Sequence, residues 1–400
     1  MSEPIIRVAA KGDGVTAQGR HVPFGVPGNV VEPDGALAWG PHHAEPPCRH
    51  FPECGGCQLQ HADEAALARF VAERVLYAAE GQGIAPGELL PTHLSPPRSR
   101  RRATLHGLRT ARGTTAGAVL GFRAPGSHRV IDMRECHVLD PALFALVAPL
   151  RSLIARWGGG QPVDAALTLT DRGVDCSLAG LALEGLGPAE ALPAFAREHG
   201  LARLSLDRGY GADMLWEPEP VTVTLAGVAV PFPVGSFLQA TPDGEAMLIS
   251  DARNFLEGCG IVADLFSGLG TFAFALAGPA KVLAVEAARD LHRACKAAAS
   301  ASGRPVHTLH RDLFRNPLQP DELNRFDAVL LDPPRAGARE QAGGIAASAV
   351  KRVAYISCNP SSWARDARTL IDAGFRLETL RPVGQFRWST HVELTSLFVR

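Results

Sequence analysis

Four short stretches of this 400-residue chain place residue types at spacings that could do chemistry. In "CRHFPECGGCQLQH", residues 48–61, Cys48, Cys54 and Cys57 form a C-x5-C-x2-C run with two glycines inside it. Three thiols are soft donors, one short of a four-ligand metal site. In "YISCNPSSWARD", residues 355–366, Cys358 stands just past a strand, where Asn359 and Pro360 turn the chain into a helix. A thiol at a helix start can have a lowered pKa and act as a nucleophile, although a small buried apolar residue fits the same position. Glu393, in "STHVELTSLFVR", precedes an apolar strand. It is either a solvated carboxylate or, if the topology carries it into the crevice of Cys358, a base. Cys176, Cys259 and Cys295 have no comparable setting and read as packing residues.

The fourth stretch, "ADLFSGLGTFAFALA" at 263–277, is an apolar strand passing through Gly268 and Gly270 into a helix. Glycines let the backbone turn tightly beside a ligand, and the helix start offers free N–H groups; a glycine pair is equally a plain turn. Acids at the ends of successive strand-like runs add weight. Glu286 ends "VLAVE", Asp312 follows "HTLH" and Asp332 ends "LLD", so in a parallel sheet all three face one crevice. A carboxylate after the second strand suits a ribose. Thr271 and Phe272 follow Gly270 and no third glycine appears, which fits an adenosyl ligand without a pyrophosphate better than a dinucleotide.

The elements that must position these groups follow from periodicity and turn residues. Residues 5–38 read as short β segments cut by Gly, Pro and Asp, suited to a small barrel or strand-rich cap. Residues 62–80 carry Leu67, Phe70, Val71 and Val75 at helical spacing behind an Asp63 cap, a helix expected to pack on the cysteine loop. "LPTHLSPPRSR" at 90–100 reads as a connection. From Arg98 to about Pro231 a mixed, mostly β region contains one clear helix at 141–157. After Gly235 strands and helices alternate strictly, the pattern of a parallel, doubly wound sheet, and "RLETLRPVGQF" with "ELTSLFVR" closes it as an antiparallel hairpin.

Composition sets outer bounds. The length suits two or three domains, and a net charge of −1 with 46% apolar residues argues neither for nor against nucleic acid. Charge is uneven, however: residues 98–134 hold nine arginines, Arg98, Arg100, Arg101, Arg102, Arg109, Arg112, Arg123, Arg129 and Arg134, against the single acid Asp132. That is the local footprint of a phosphate-binding face, or a solvated one. The expectation is no export signal, no membrane span and a reducing cytoplasm in which eight sparse cysteines stay free.

Taken in order, "GSFLQAT", "DLFSGLGTF", "DPPRAG", "YISCNP" and "HVE" resemble the RNA 5-methyluridine methyltransferases that use S-adenosylmethionine. The resemblance runs over almost the whole chain. It implies an α/β fold with a Rossmann-like class I methyltransferase domain at 235–400, a mixed α+β RNA-binding and iron–sulfur domain at 46–234, and an abbreviated TRAM-like β segment at 1–45. It further implies that Gln239, Phe266, Glu286 and Asp332 contact the cofactor with Thr271 and Asp312 beside them, that Cys358 is the nucleophile and that Glu393 is the base. Related enzymes with a four-cysteine iron–sulfur site show the same run and one distant cysteine, which Cys136 of "IDMRECHVLD" matches. Four thiolates also satisfy zinc; the asymmetric spacing with the resemblance favours [4Fe–4S] in a structural role. The expected substrate is RNA, ribosomal ahead of transfer RNA, and the expected state a cytoplasmic monomer without membrane partners. An alternative of another class is a noncatalytic iron–sulfur RNA-binding protein on the same scaffold.

Overall fold

The computed structural model describes residues 2–112, 115–181 and 186–400. Among these, the strands form four sheets. The largest has the strand order Val306–His310, Lys281–Glu286, Ile261–Leu265, Ala328–Leu331, Arg352–Ser357, Glu393–Val399, Arg376–Gly384. The first five are mutually parallel and, but for buried Asp264 and Ser357, apolar where they cross the core, as a sheet covered on both faces requires. The last two run antiparallel to Arg352–Ser357 and to each other, the closing hairpin expected from the sequence.

Helices Thr271–Leu276, Arg289–Ser302, Arg339–Ala347 and Pro360–Asp372 cover the faces of this sheet. Helix Glu64–Glu80 begins at Asp63, whose side chain accepts the Ala66 N–H. Its buried stripe of Leu67, Phe70, Val71 and Val75 lies on strand Arg376–Gly384 and helix Pro360–Asp372, so it flanks the C-terminal sheet more than the cysteine loop. The presumed connection at 90–100 also belongs to this sheet. Glu88–Leu89 and His93–Leu94 pair in parallel with Arg376–Gly384.

The central sheet has the order Ala212–Trp216, Arg203–Asp207, Gly173–Ala179, Val163–Thr170, Arg102–Arg112, Thr115–Gly121. Its helical cover comes from Pro141–Ala145, Val147–Trp157 and Leu186–Glu198. The single helix expected at 141–157 is broken at Leu146 because Pro149 has no N–H to give the carbonyl four residues back. The hairpin Thr222–Leu225 and Val228–Pro231 buries Val223, Leu225, Val228 and Val230 in one core with Phe272 and Phe274, so packing crosses the expected boundary at 234.

Residues 3–38 form a five-strand sheet in the order His21–Val22, Gly14–Thr16, Glu3–Val8, Val30–Val31, Leu37–Ala38, around Ile5, Val22 and Val31. No helix among the described residues is long and apolar enough to cross a membrane.

Candidate active site

The sheet order reverses between Ile261–Leu265 and Ala328–Leu331, so a crevice opens beyond their carboxyl ends. The chain leaving Ile261–Leu265 turns at Phe266, φ +66°, Gly268 and Gly270. Gly270 has φ +94°, and a Cβ there would lie 2.8 Å from Cys295 Sγ and from the Phe274 ring. Glu286 braces this turn: its carboxylate accepts the Gly268 N–H at 2.9 Å and the Ala288 N–H at 2.6 Å. Asp312 accepts the Phe314 N–H at 2.9 Å. The ring of half-exposed Phe314 meets that of Phe266 with centroids 5.3 Å apart, an aromatic pair beside the glycine turn. Thr271 opens the helix that follows.

One group here was missed in the sequence. Asp264 is fully buried in strand Ile261–Leu265, and neither carboxyl oxygen meets hydrogen-bond geometry with a described group. Burial, reinforced by the charges of Asp332 and Glu286, pushes it up to about 8. The signal was an acid inside an otherwise apolar strand. A buried carboxyl with no side-chain partner behind the glycine turn fits a polar ligand in the crevice.

Cys358 and Glu393 are brought together by strand register. The antiparallel ladder ends at Ser357↔Leu394, so Cys358, just past its strand, and Glu393 are the next residues along, and the charge of Glu393 bears on the Cys358 thiol. Both line a cleft of about 690 Å³ with Arg100, Arg102, Phe237, Arg335 and His391. Glu393 is buried and pushed up to about 8 by desolvation and then by the Asp332 charge, with Arg102 and Gln385 acting against the rise. Asp332, half-buried, is itself pushed up to about 7 by burial. Its charge reaches Asp264 on one side and Cys358 and Glu393 on the other, which places it between the glycine turn and the cleft. The lowered thiol pKa expected from the helix start is not found. Burial raises Cys358, and the charges of Glu393 and Asp332 raise it further, against the pull of Arg335. The resting thiol is therefore protonated.

The opposite wall comes from the central sheet and the segment after Gly235. Arg102 sits with its guanidinium 4.2 Å from the centroid of Phe237. It is lowered to about 10 by burial and Arg100, while Glu393 and Cys358 favour its charge. Arg101 donates to the Gln239 carbonyl at 3.0 Å and to Glu245 at 2.6 Å, joining the two regions. Buried Gln239 meets Gln385, whose amide also reaches Glu393. Phe237 and Gln385 were not singled out from the sequence.

The basic run is not one free face. Arg101, Arg123, Arg129 and Arg134 are paired with Glu245, Asp164, Glu53 and Asp132. Arg109 turns to the Gly158 carbonyl. The side chain of Arg112 lies outside the described residues. Arg98 is exposed outside the cleft lining, and Arg100 and Arg102 charge the cleft, with Arg335 beside them.

Cys48, Cys54, Cys57 and Cys136 all line one small cavity of about 20 Å³. Burial raises each thiol, Cys57 to about 12, and the charge of Cys136 bears on all three thiols of the run. The glycines of the run are steric necessities: a Cβ on Gly55 would collide with the Arg123 carbonyl, and one on Gly56 would lie 2.9 Å from the Phe122 ring. No group of three or more His, Cys, Asp or Glu among the described residues is arranged to hold a single metal ion. The loop also reaches the other half of the protein, because the Gln58 and Leu59 N–H groups donate to the Trp388 carbonyl at 2.7 and 2.9 Å.

Residues 310–400 match the signature of the tRNA (Uracil-5-)-methyltransferase family. A Zymomonas mobilis protein named as an uncharacterized RNA methyltransferase is 47% identical over 397 residues, 99% of each chain. The 23S rRNA (uracil(1939)-C(5))-methyltransferase RlmD of Edwardsiella ictaluri is 32% identical over 90% of this chain and 83% of its own. The structure of the Pyrococcus abyssi tRNA (uracil-54, C5)-methyltransferase with S-adenosyl-L-homocysteine has the same fold, with a TM-score of 0.76 over 100% of this chain and 99% of that one at 21% identity. With relatives of this kind spanning nearly its full length, the chain belongs to the S-adenosylmethionine-dependent RNA uracil-C5 methyltransferase family.

Proposed function

We propose that the protein methylates C5 of one uridine in RNA, in 23S ribosomal RNA ahead of transfer RNA, through a covalent bond between Cys358 and C6 that Glu393 resolves. The observation that carries this reading is the register that brings Cys358 and Glu393 together in a positively charged cleft. Kinship with an enzyme of 23S ribosomal RNA over 90% of the chain supports the ribosomal substrate.

C5 of uracil is a poor nucleophile. Cys358, protonated at rest, gives up its proton to solvent in the cleft, and its thiolate adds to C6 and turns the ring into an enolate whose density sits on C5. Arg102 and Arg335 offset the charge of that thiolate among the surrounding carboxylates. Gln239, Phe266, Glu286 and Asp332, with Thr271 and Asp312 beside them, would hold S-adenosylmethionine, which would supply the electrophilic methyl group that C5 accepts, its sulfonium leaving as a neutral thioether. Glu393 then takes the C5 proton, the C5–C6 double bond re-forms and Cys358 leaves as a thiolate. The cleft is lined by Arg100, Arg102 and exposed Phe237, a cation and aromatic surface for a base turned out of its strand.

Cys48, Cys54, Cys57 and Cys136 would hold a [4Fe–4S] cluster. A purely thiol donor set suits it. Zinc at about 2.3 Å from each sulfur requires all four close around one point, whereas each corner of a cubane takes its own thiolate. The cluster ties loop 48–57 to the segment around Cys136. The sheet at 3–38 is a short TRAM-like RNA contact, and the protein acts as a cytoplasmic monomer.

Mapping 5-methyluridine in RNA from cells with and without the gene tests the reading. Loss at one position of 23S RNA is expected. Loss in transfer RNA alone transfers the assignment to that substrate, and no loss in any RNA despite S-adenosylmethionine binding favours a noncatalytic protein.

A further inference from the structure

Gln385 follows strand Arg376–Gly384 and is buried, 2% exposed. Its amide makes three bonds. Oε1 accepts the Ala240 N–H at 3.0 Å, while Nε2 donates to Gln239 Oε1 at 3.0 Å and to Glu393 Oε2. The first bond fixes the other two: with the oxygen committed to a backbone donor, the nitrogen must face the two acceptors, and both its hydrogens are used. Room for this side chain is built in, since a Cβ on Gly244 would lie 2.5 Å from Gln385 Cγ. Among the described residues Gln385 is the one hydrogen-bond donor to the Glu393 carboxylate.

We infer that Gln385 is a positioning residue whose single amide holds the carboxylate of Glu393 on the substrate and Gln239 on the methyl donor, so that the base and the donor site are set together. This rests on the assignment of Glu393 as base and Gln239 as a donor contact. The charged and titratable groups facing Glu393 are Asp332 from the end of the fourth parallel strand, Arg102 from the central sheet, and Cys358, Arg335 and His391 lining the same cleft. Without the Gln385 donor, Asp332 and burial act on Glu393 with Arg102 as the main counterweight.

The test uses the full chain with an RNA substrate and rapid-quench detection of the denaturant-stable protein–RNA adduct across pH, together with the KM for S-adenosylmethionine. Gln385→Met keeps the side-chain length and removes the amide. Adduct decay at pH 7 is expected to slow at least tenfold and to recover as pH rises above 8, and the KM for S-adenosylmethionine to rise severalfold. Gln385→Asn, which withdraws the amide by one methylene, gives the same changes in smaller degree and carries the test if the Met variant does not fold. Parent-like pH profile and KM in the variants, or an equal loss at every pH with unchanged KM, overturns the inference. A parent protein that forms no adduct overturns instead the covalent reading on which it rests.

Discussion

Asp264→Asn separates the cost of a buried carboxyl from its use. In the folded chain Asp264 is fully buried and is pushed up to about 8 from an ordinary 3.8, with the Ala273 N–H acting against the rise. The folded state keeps it neutral where the unfolded state ionises, so its contribution is most favourable below about pH 3.8 and is lost progressively up to about pH 8. At roughly 1.4 kcal/mol per pH unit, the penalty is about 2 kcal/mol at pH 5 and about 5 kcal/mol at pH 8. Asn cannot ionise and escapes this dependence. Thermal melts of the ligand-free parent and variant at the two pH values should show the variant gaining a few degrees more at pH 8 than at pH 5, while its affinity for S-adenosylmethionine by calorimetry falls. An equal Tm difference at both pH values would show that Asp264 is ionised in the fold, and the account of the buried acid would fail.

Glu393 at about 8 predicts that adduct resolution falls about tenfold per pH unit below 8, because only the ionised carboxylate takes the proton. Quenched time courses check this, and Glu393→Gln should leave a persistent adduct at every pH. Gly270→Ala forces a methyl group to within 2.8 Å of Cys295 Sγ at φ +94°, and should cost about 1–3 kcal/mol in stability and weaken S-adenosylmethionine binding, read by melting and calorimetry. Cys136→Ser should lose most of the iron of anaerobically purified protein, read by metal analysis; stoichiometric zinc in the parent would contradict the cluster.

Much of the site was legible where chemistry and local pattern coincide. "DLFSGLG" announces a glycine turn because only glycine tolerates the φ of Gly270, and Asp63 announces a helix because its side chain caps one. The closing hairpin could be read from the lack of room for a helix, and its register is what joins Cys358 to Glu393. What local pattern does not encode is who faces whom. Residues 88–94 make strands of two residues that exist only against Arg376–Gly384, too short to show a period. Helix Leu186–Glu198 was hidden by Pro193. The arginine run reads as one basic face until acids from distant positions, Glu53, Asp164 and Glu245, are folded onto it. The thiol of Cys358 is raised because tertiary burial and two carboxylates outweigh the helix start that the sequence displays. Gln385 is invisible for the same reason, since nothing in "VGQFRW" tells that its amide will meet Gln239 and Glu393.

The most direct test of the central claim is mass spectrometry of the covalent product formed with an RNA substrate carrying 5-fluorouridine in the presence of S-adenosylmethionine. Fluorine at C5 cannot leave as a proton does, so the elimination assigned to Glu393 is blocked and the adduct is trapped. The account predicts a protein–RNA peptide joined through Cys358 and none from Cys358→Ala. An adduct at another residue, or 5-methyluridine formed by the Cys358→Ala protein, would contradict it.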